Sequence, residues 1–321
     1  MQEVRLTALK PESLTWDQAL RLFALRSRSQ NFAASTQVLY TCHLGLWRRW
    51  LQSQGDPAPH EVTPAILRDY LDSLRARGRR DAYADGAFRI LKVFWRFLER
   101  EGLVLVNPMA RVERPRREKR LIKAFSAEQV RLLLAAIDTR DPLGLRDHAM
   151  TVLLADTGLR LSEALGLRVQ DVDFSQGLLT VFGKGRKERL VPFGQAARRE
   201  LMDWLKTRGD LPGMDLLWCN RFGRQLSRRT VEDRLKDHGA RAKLQGVRCS
   251  PHTLRHFFAV QYLRNGGDVF TLQKIMGHAT LDMVRLYAQM ADTDVQARHR
   301  LASPMDCLGQ LPGERRRVRF K

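Results

Sequence analysis

Acidic residues are scarce in this 321-residue chain: 35 aspartates and glutamates stand against 56 lysines and arginines, for a formal charge of +21. So much like charge adds self-repulsion and does nothing for folding, which points to a polyanionic partner, and nucleic acid above all. A basic ribosomal or membrane-surface protein would concentrate its charge in low-complexity stretches. Here it is spread through patterned segments. Cysteine is also scarce. Cys42, Cys219, Cys249 and Cys307 lie far apart with no Cys-x-x-Cys pair, which excludes a zinc finger or a disulfide scaffold and predicts reduced thiols in the cytosol. No run approaches the roughly 18 apolar residues of a membrane helix, and Met1 to Lys10 lacks the apolar core of a signal peptide. The expected setting is cytoplasmic, beside the chromosomal DNA, with no membrane partner. Nucleotide-binding loops are missing too: Gly183-Lys184-Gly185 has neither Ser nor Thr after the lysine and matches no Walker or dinucleotide spacing.

The length suits two domains better than one core. Thr15 is placed to cap a helix through Arg26, and Ser35 to cap a second whose Leu39, Cys42, Leu46 and Trp50 recur at helical spacing. Thr63-Pro64 opens a third helix, with Ile66, Tyr70, Leu71 and Leu74 on one face until Gly78. A fourth begins near Tyr83, its stripe Phe88, Leu91, Trp95 and Leu98 flanked by Arg89, Lys92, Arg96 and Arg100. Trp50 and Trp95 read as packing residues and not as a base-stacking surface.

These four helices predict an N-terminal domain over residues 15–107. Between 108 and 123 the periodicity stops, and Arg111, Arg114, Arg116, Arg117, Lys119, Arg120 and Lys123 gather around Pro115. This stretch reads as a basic linker in contact with phosphates. A second domain over 124–301 starts with a Ser126/Gln129 capping box and a helix over 142–156. Leu178–Phe182 and Arg189–Val191 then form a hairpin whose tip carries Lys184, Arg186 and Lys187. Further helices follow, then a basic tail over 302–321. The fold class expected is mostly α with a small β-sheet in the second domain.

Six residues of that domain suit phosphate chemistry. Arg160 lies in Thr157-Gly158-Leu159-Arg160 ahead of Ser162-Glu163, and Lys184 sits on the hairpin tip. His252 and Arg255 share His252-Thr253-Leu254-Arg255, His278 follows Gly277, and Tyr287 comes nine residues later. Guanidinium forks bind phosphate oxygens bidentately without losing charge, and a phenol is a nucleophile able to hold a phosphoryl group. His252 and His256, four apart, raise a metal site. However, the Glu of His-Glu-x-x-His is missing and the charge of Arg255 lies between them.

In that order the six residues resemble the tyrosine recombinase (phage-type integrase) family, and nearly the whole chain is similar to its simple Xer-like and transposon-associated two-domain members. The resemblance implies a helical core-binding domain before a mixed α+β catalytic domain, and no cofactor. It implies that Tyr287 forms a 3′-phosphotyrosyl bond while Arg160 and Arg255 hold the phosphate and His278 donates to it. Lys184 would protonate the leaving oxygen, His252 would move protons around the tyrosine, and Glu163 would buttress the site. It further implies double-stranded DNA sites as partners, a homo-tetramer on two sites, and a last helix near 292–301 that packs on a neighbouring protomer. Phe257 and Met283-Val284 depart from the family pattern and bear on packing around Tyr287. A DNA-binding relative without turnover, or a nicking-closing enzyme like a type IB topoisomerase, would share much of this set.

Overall fold

The computed structural model describes residues 11–76, 81–115, 123–183, 188–209, 215–277, 282–291 and Ser303. The chain divides into two compact units, Met1–Arg120 and Leu121–Lys321.

Among the described residues of the first unit lie the α-helices α1 (Trp16–Ser29), α2 (Ala34–Gln52), α3 (Pro64–Ala76) and α4 (Asp81–Arg100). The cap at Thr15 forms as expected, its Oγ1 accepting from Gln18 N at 3.3 Å while Gln18 Oε1 accepts from Thr15 N at 2.9 Å. The second helix departs from expectation. It starts at Ala34, with Ala33 in the cap position and Ser35 already inside. Its buried face is His43, Leu44, Trp47, Trp50 and Leu51. Leu39 is 49% exposed and Cys42 is exposed. Starting the count from Trp47 instead of Leu39 shifts the apolar stripe by one position, and two large indoles outweigh a leucine and a cysteine in choosing the buried side.

The fourth helix buries Phe88, Leu91, Trp95 and Leu98 and leaves Arg89, Lys92, Arg96 and Arg100 outside. Trp16 sits at the centre of this unit, with ring centroids 6.3 Å from Trp47 and 6.1 Å from Trp95 in edge-on contact. A charged group also enters this core: Asp85, 0% exposed, takes Nε and Nη2 of Arg114 at 2.6 and 3.2 Å. A buried carboxylate needs such a partner, so Arg114 fastens the end of the unit back onto α4.

The second unit opens with α5 (Ala127–Ala135), where Ser126 Oγ accepts from Gln129 N at 3.1 Å and Gln129 Oε1 from Ser126 N at 2.9 Å, the expected capping box. Around α6 (Pro142–Thr157) pack α7 (Leu161–Gly166), α8 (Gln195–Arg208), α9 (Arg228–Arg241) and α10 (Pro251–Arg264), followed by α11 (Val269–Met276) and α12 (Asp282–Ala291). Their core holds Leu153, Leu154, Leu201, Trp204, Leu254 and Ala259. An antiparallel sheet in the order β1 (Val172–Asp173), β2 (Leu178–Phe182), β3 (Glu188–Pro192) lies against it, with Thr180 opposite Leu190. Strand alternation points Leu179, Val181 and Val191 inward, and Arg189, two residues before Val191, shares their face. At the start of α6, buried Asp147 accepts from Arg146 at 2.7 Å and also binds Arg234 and His238, pinning α9 to α6.

Candidate active site

Two glycines at helix ends shape the site. Gly158 ends α6 in the left-handed region at φ 61°, and a Cβ there would lie 2.3 Å from the Phe258 ring. Only a residue without a side chain allows both the turn and that approach. Immediately after it, Arg160 precedes α7, and its backbone N–H donates to Glu163 Oε2 at 2.9 Å. Gly277 ends α11 in the same way at φ 62°.

The arginine side chains converge on this second helix end. Arg160 Nη2 donates to the Gly277 carbonyl at 3.1 Å, and Arg255 Nη2 to the Met276 carbonyl at 2.8 Å. Arg255 Nη1 donates to the Gly158 carbonyl, so it joins the two glycine turns. These carbonyls are left without intrahelical partners at a helix C-terminus, the negative end of its dipole, and cations suit them. Between the arginines sits Glu163, 9% exposed. Its Oε1 accepts from Arg160 Nη1 at 2.8 Å.

Arg255 is buried, and burial, reinforced by the charge of Arg160, brings its pKa down to about 10, which still leaves it a cation at neutral pH. Burial alone would raise the Glu163 carboxyl, but hydrogen bonds from Arg189 and Arg160 outweigh it and hold the group below the usual carboxylate range. Arg160 keeps 40% of its side chain exposed and so remains open to an incoming anion.

Tyr287, on α12, is 1% exposed. Burial raises its pKa against the pull of Arg255. Its hydroxyl meets His256 Nδ1 at 2.7 Å. His252 stands one turn before His256 on α10, exposed, with ring centroids 4.2 Å apart and planes at 68°. Partial burial, then the charges of Arg255 and Arg248, lower the His252 pKa, so the ring is neutral near pH 7.

Of the six site residues read from the sequence, Arg160, Arg255, His252 and Tyr287 are brought together around α10 and the end of α11. Lys184 and His278 lie outside the described residues, as do Arg116, Arg117, Lys119, Arg120, Arg186 and Lys187 from the candidate phosphate contacts. Arg111 is exposed and Arg114 is paired with Asp85. Two residues near the site were not picked out for it: His256, at the phenol, and Arg189. An arginine on the inward face of a strand was the available signal for the second, since it must find a buried acid.

The chain is similar to known proteins over most of its length. The family model described as "Phage integrase family" matches residues 123–294. The chain is 37% identical over 277 residues to "Tyrosine recombinase XerD" of Pseudomonas aeruginosa, covering 84% of this chain and 92% of the relative. It is 35% identical over 276 residues to "Tyrosine recombinase XerC" of Chromobacterium violaceum, covering 85% and 90%. Among solved structures, XerH site-specific recombinase bound to a palindromic difH substrate aligns with TM-score 0.70 at 20% identity, over 92% of this chain and 93% of that one. A lambda integrase dimer bound to a COC' core site aligns with TM-score 0.69 at 20% identity, over 84% and 97%.

Proposed function

Because the chain belongs to the phage integrase family, as a tyrosine recombinase that breaks and rejoins DNA, we propose that it does so at specific sites through a covalent 3′-phosphotyrosyl intermediate on Tyr287. The observation that carries this reading is the pair of arginines, from α7's leading turn and from α10, donating to successive carbonyls of Gly277 and Met276. Two fixed cations on one helix end, beside a helix that carries a buried phenol, form a cradle for one phosphate.

The phenolic oxygen of Tyr287 attacks phosphorus as the bond to the 5′-oxygen breaks, so one phosphate ester replaces another and no external energy source is needed. Arg160 and Arg255 neutralise the non-bridging oxygens as charge grows on them. The phenol proton passes to the histidine pair on α10, and Lys184 supplies a proton to the departing 5′-oxygen. His278, next after Gly277, donates to the phosphate. Attack by the 5′-hydroxyl of a second duplex reverses the chemistry, and two rounds through a four-way junction complete exchange. Four protomers on two DNA sites are the assembly that this requires. A phenol that is 1% exposed must be uncovered before it attacks, so DNA binding has to shift the packing around α12.

The test is covalent trapping on a nicked duplex taken from the protein's own locus. A metal-independent adduct at the 3′ side, lost in Tyr287→Phe, is expected. Specific binding without any adduct would leave a DNA-binding relative without turnover, and adducts that never yield a junction between two sites would leave a nicking-closing enzyme.

A further inference from the structure

The last turn of α11 presents three successive carbonyls, and a different arginine takes each one. Met276 and Gly277 receive Arg255 and Arg160, while Ile275 O accepts from Arg189 Nε at 2.9 Å. Arg189 comes from β3, on the inward face, with 15% of its side chain exposed. Its remaining nitrogens form a fork on Glu163, Nη1 to Oε1 at 3.0 Å and Nη2 to Oε2 at 2.9 Å. The same guanidinium lies 3.1 Å from where a Cβ of Gly277 would be.

We propose that Arg189 is a positioning residue for strand cleavage, the third arginine of the site, which holds Glu163 and the end of α11 so that Arg160 meets the scissile phosphate. The inference rests on the reading of Arg160 and Tyr287 given above. Arg160 and Arg255 must lend N–H groups to a phosphate and keep their carbonyl contacts at the same time. Arg189 has no such double duty, since all three of its nitrogens face protein acceptors. Glu163 would otherwise be a buried carboxylate shared with Arg160 alone, free to draw that guanidinium away from the DNA. With both its oxygens already in the Arg189 fork, it fixes Arg160 without capturing it. A lysine cannot replace this arrangement, because one ammonium cannot reach two carboxylate oxygens and a helix carbonyl in one plane.

The experiment compares wild type, Arg189→Lys and Arg160→Lys as full chains on the nicked substrate, recording DNA affinity and the adduct rate at saturating DNA. A second substrate carries a neutral methylphosphonate at the scissile position, where neutralisation of the phosphate by Arg160 is no longer needed. For Arg189→Lys we expect affinity within about 2-fold of wild type and a rate about 10- to 100-fold lower on phosphate. The deficit should shrink on methylphosphonate, as it should for Arg160→Lys. An unchanged rate, a loss of affinity alone, or an equal deficit on both substrates would each overturn the role assigned to Arg189. Absence of any Tyr287-dependent adduct in wild type would instead remove the reading of the site itself. Melting curves accompany each protein. Should Arg189→Lys melt early, Gly277→Ala keeps the arginine and presses a methyl against its guanidinium. It should show the same slower rate at intact affinity, and a wild-type rate in it would likewise overturn the inference.

Discussion

The hydroxyl of Tyr287 lies 2.7 Å from Nδ1 of His256, and both side chains are buried, at 1% and 5% exposure. A polar contact made out of water is costly to break from one side only, because the surviving partner keeps its desolvation cost. Denaturant titration of wild type, His256→Ala, Tyr287→Phe and the double variant should give a coupling energy of about 1 kcal/mol between the two. Additive losses would mean that the pair shares a space without an interaction.

The same burial gives Tyr287 a distinctive titration. Its pKa is raised above the usual tyrosine range, so it contributes stability that is fully present below about pH 10 and is lost as pH rises through the folded-state value. The difference in absorbance at the tyrosinate band between wild type and Tyr287→Phe should therefore develop above the roughly pH 10 at which a free phenol titrates.

Glu163 works at the other end of the scale. Its folded pKa is depressed, so its contribution is complete above roughly pH 4.5 and disappears as pH falls through the lowered value. Glu163→Gln should cost on the order of 3 kcal/mol at pH 7, because two guanidiniums lose a buried counter-charge. The gap to wild type, followed by urea unfolding at several pH values, should narrow on acidification. A gap that stays constant down to pH 3 or so would contradict the charge-based account.

Gly158 permits no side chain. Gly158→Ala should lower the melting temperature through both its φ of 61° and the approach to Phe258 and should cost at least about 1 kcal/mol. It should also slow cleavage, since the Gly158 carbonyl holds Arg255.

Arg111 and Arg114 should separate in their effects. DNA affinity is expected to fall linearly with the logarithm of salt, and Arg111→Gln should reduce the slope by about 1 with no change in melting. Arg114→Gln should lower the melting point of the first unit because it leaves the carboxylate of Asp85 short of a partner. Identical behaviour of the two variants would refute the distinction.

Much of this was legible in the sequence. The stripe of α4 and the capping box of α5 are local patterns, and the hairpin strands alternate as their residues suggest. Arg160, Arg255 and Tyr287 were named through the family resemblance of their motifs, and the fold sets them around α10 and the end of α11. The stripe of α2 was misread because its two indoles, Trp47 and Trp50, fix a face one position away from the leucine count. The carbonyls of Ile275, Met276 and Gly277 left no trace, since backbone acceptors have no residue type. The Arg114–Asp85 pair was hidden because nothing in the local sequence links residues that meet only in the folded unit. His256 was weighed as a metal ligand, and its meeting with Tyr287 depends on how α10 and α12 pack.

The tryptophans have a practical bearing on all such measurements. Of the chain's six, Trp16, Trp47, Trp50 and Trp95 crowd the core of the first unit, and Trp204 and Trp218 stack in the second with centroids 6.4 Å apart. Indoles this close couple as chromophores, so intrinsic fluorescence and aromatic ellipticity will report mostly on the unit that does not contain Tyr287. An emission transition would then follow the melting of one half of the protein while the other stayed folded, and the two halves need separate optical reporters.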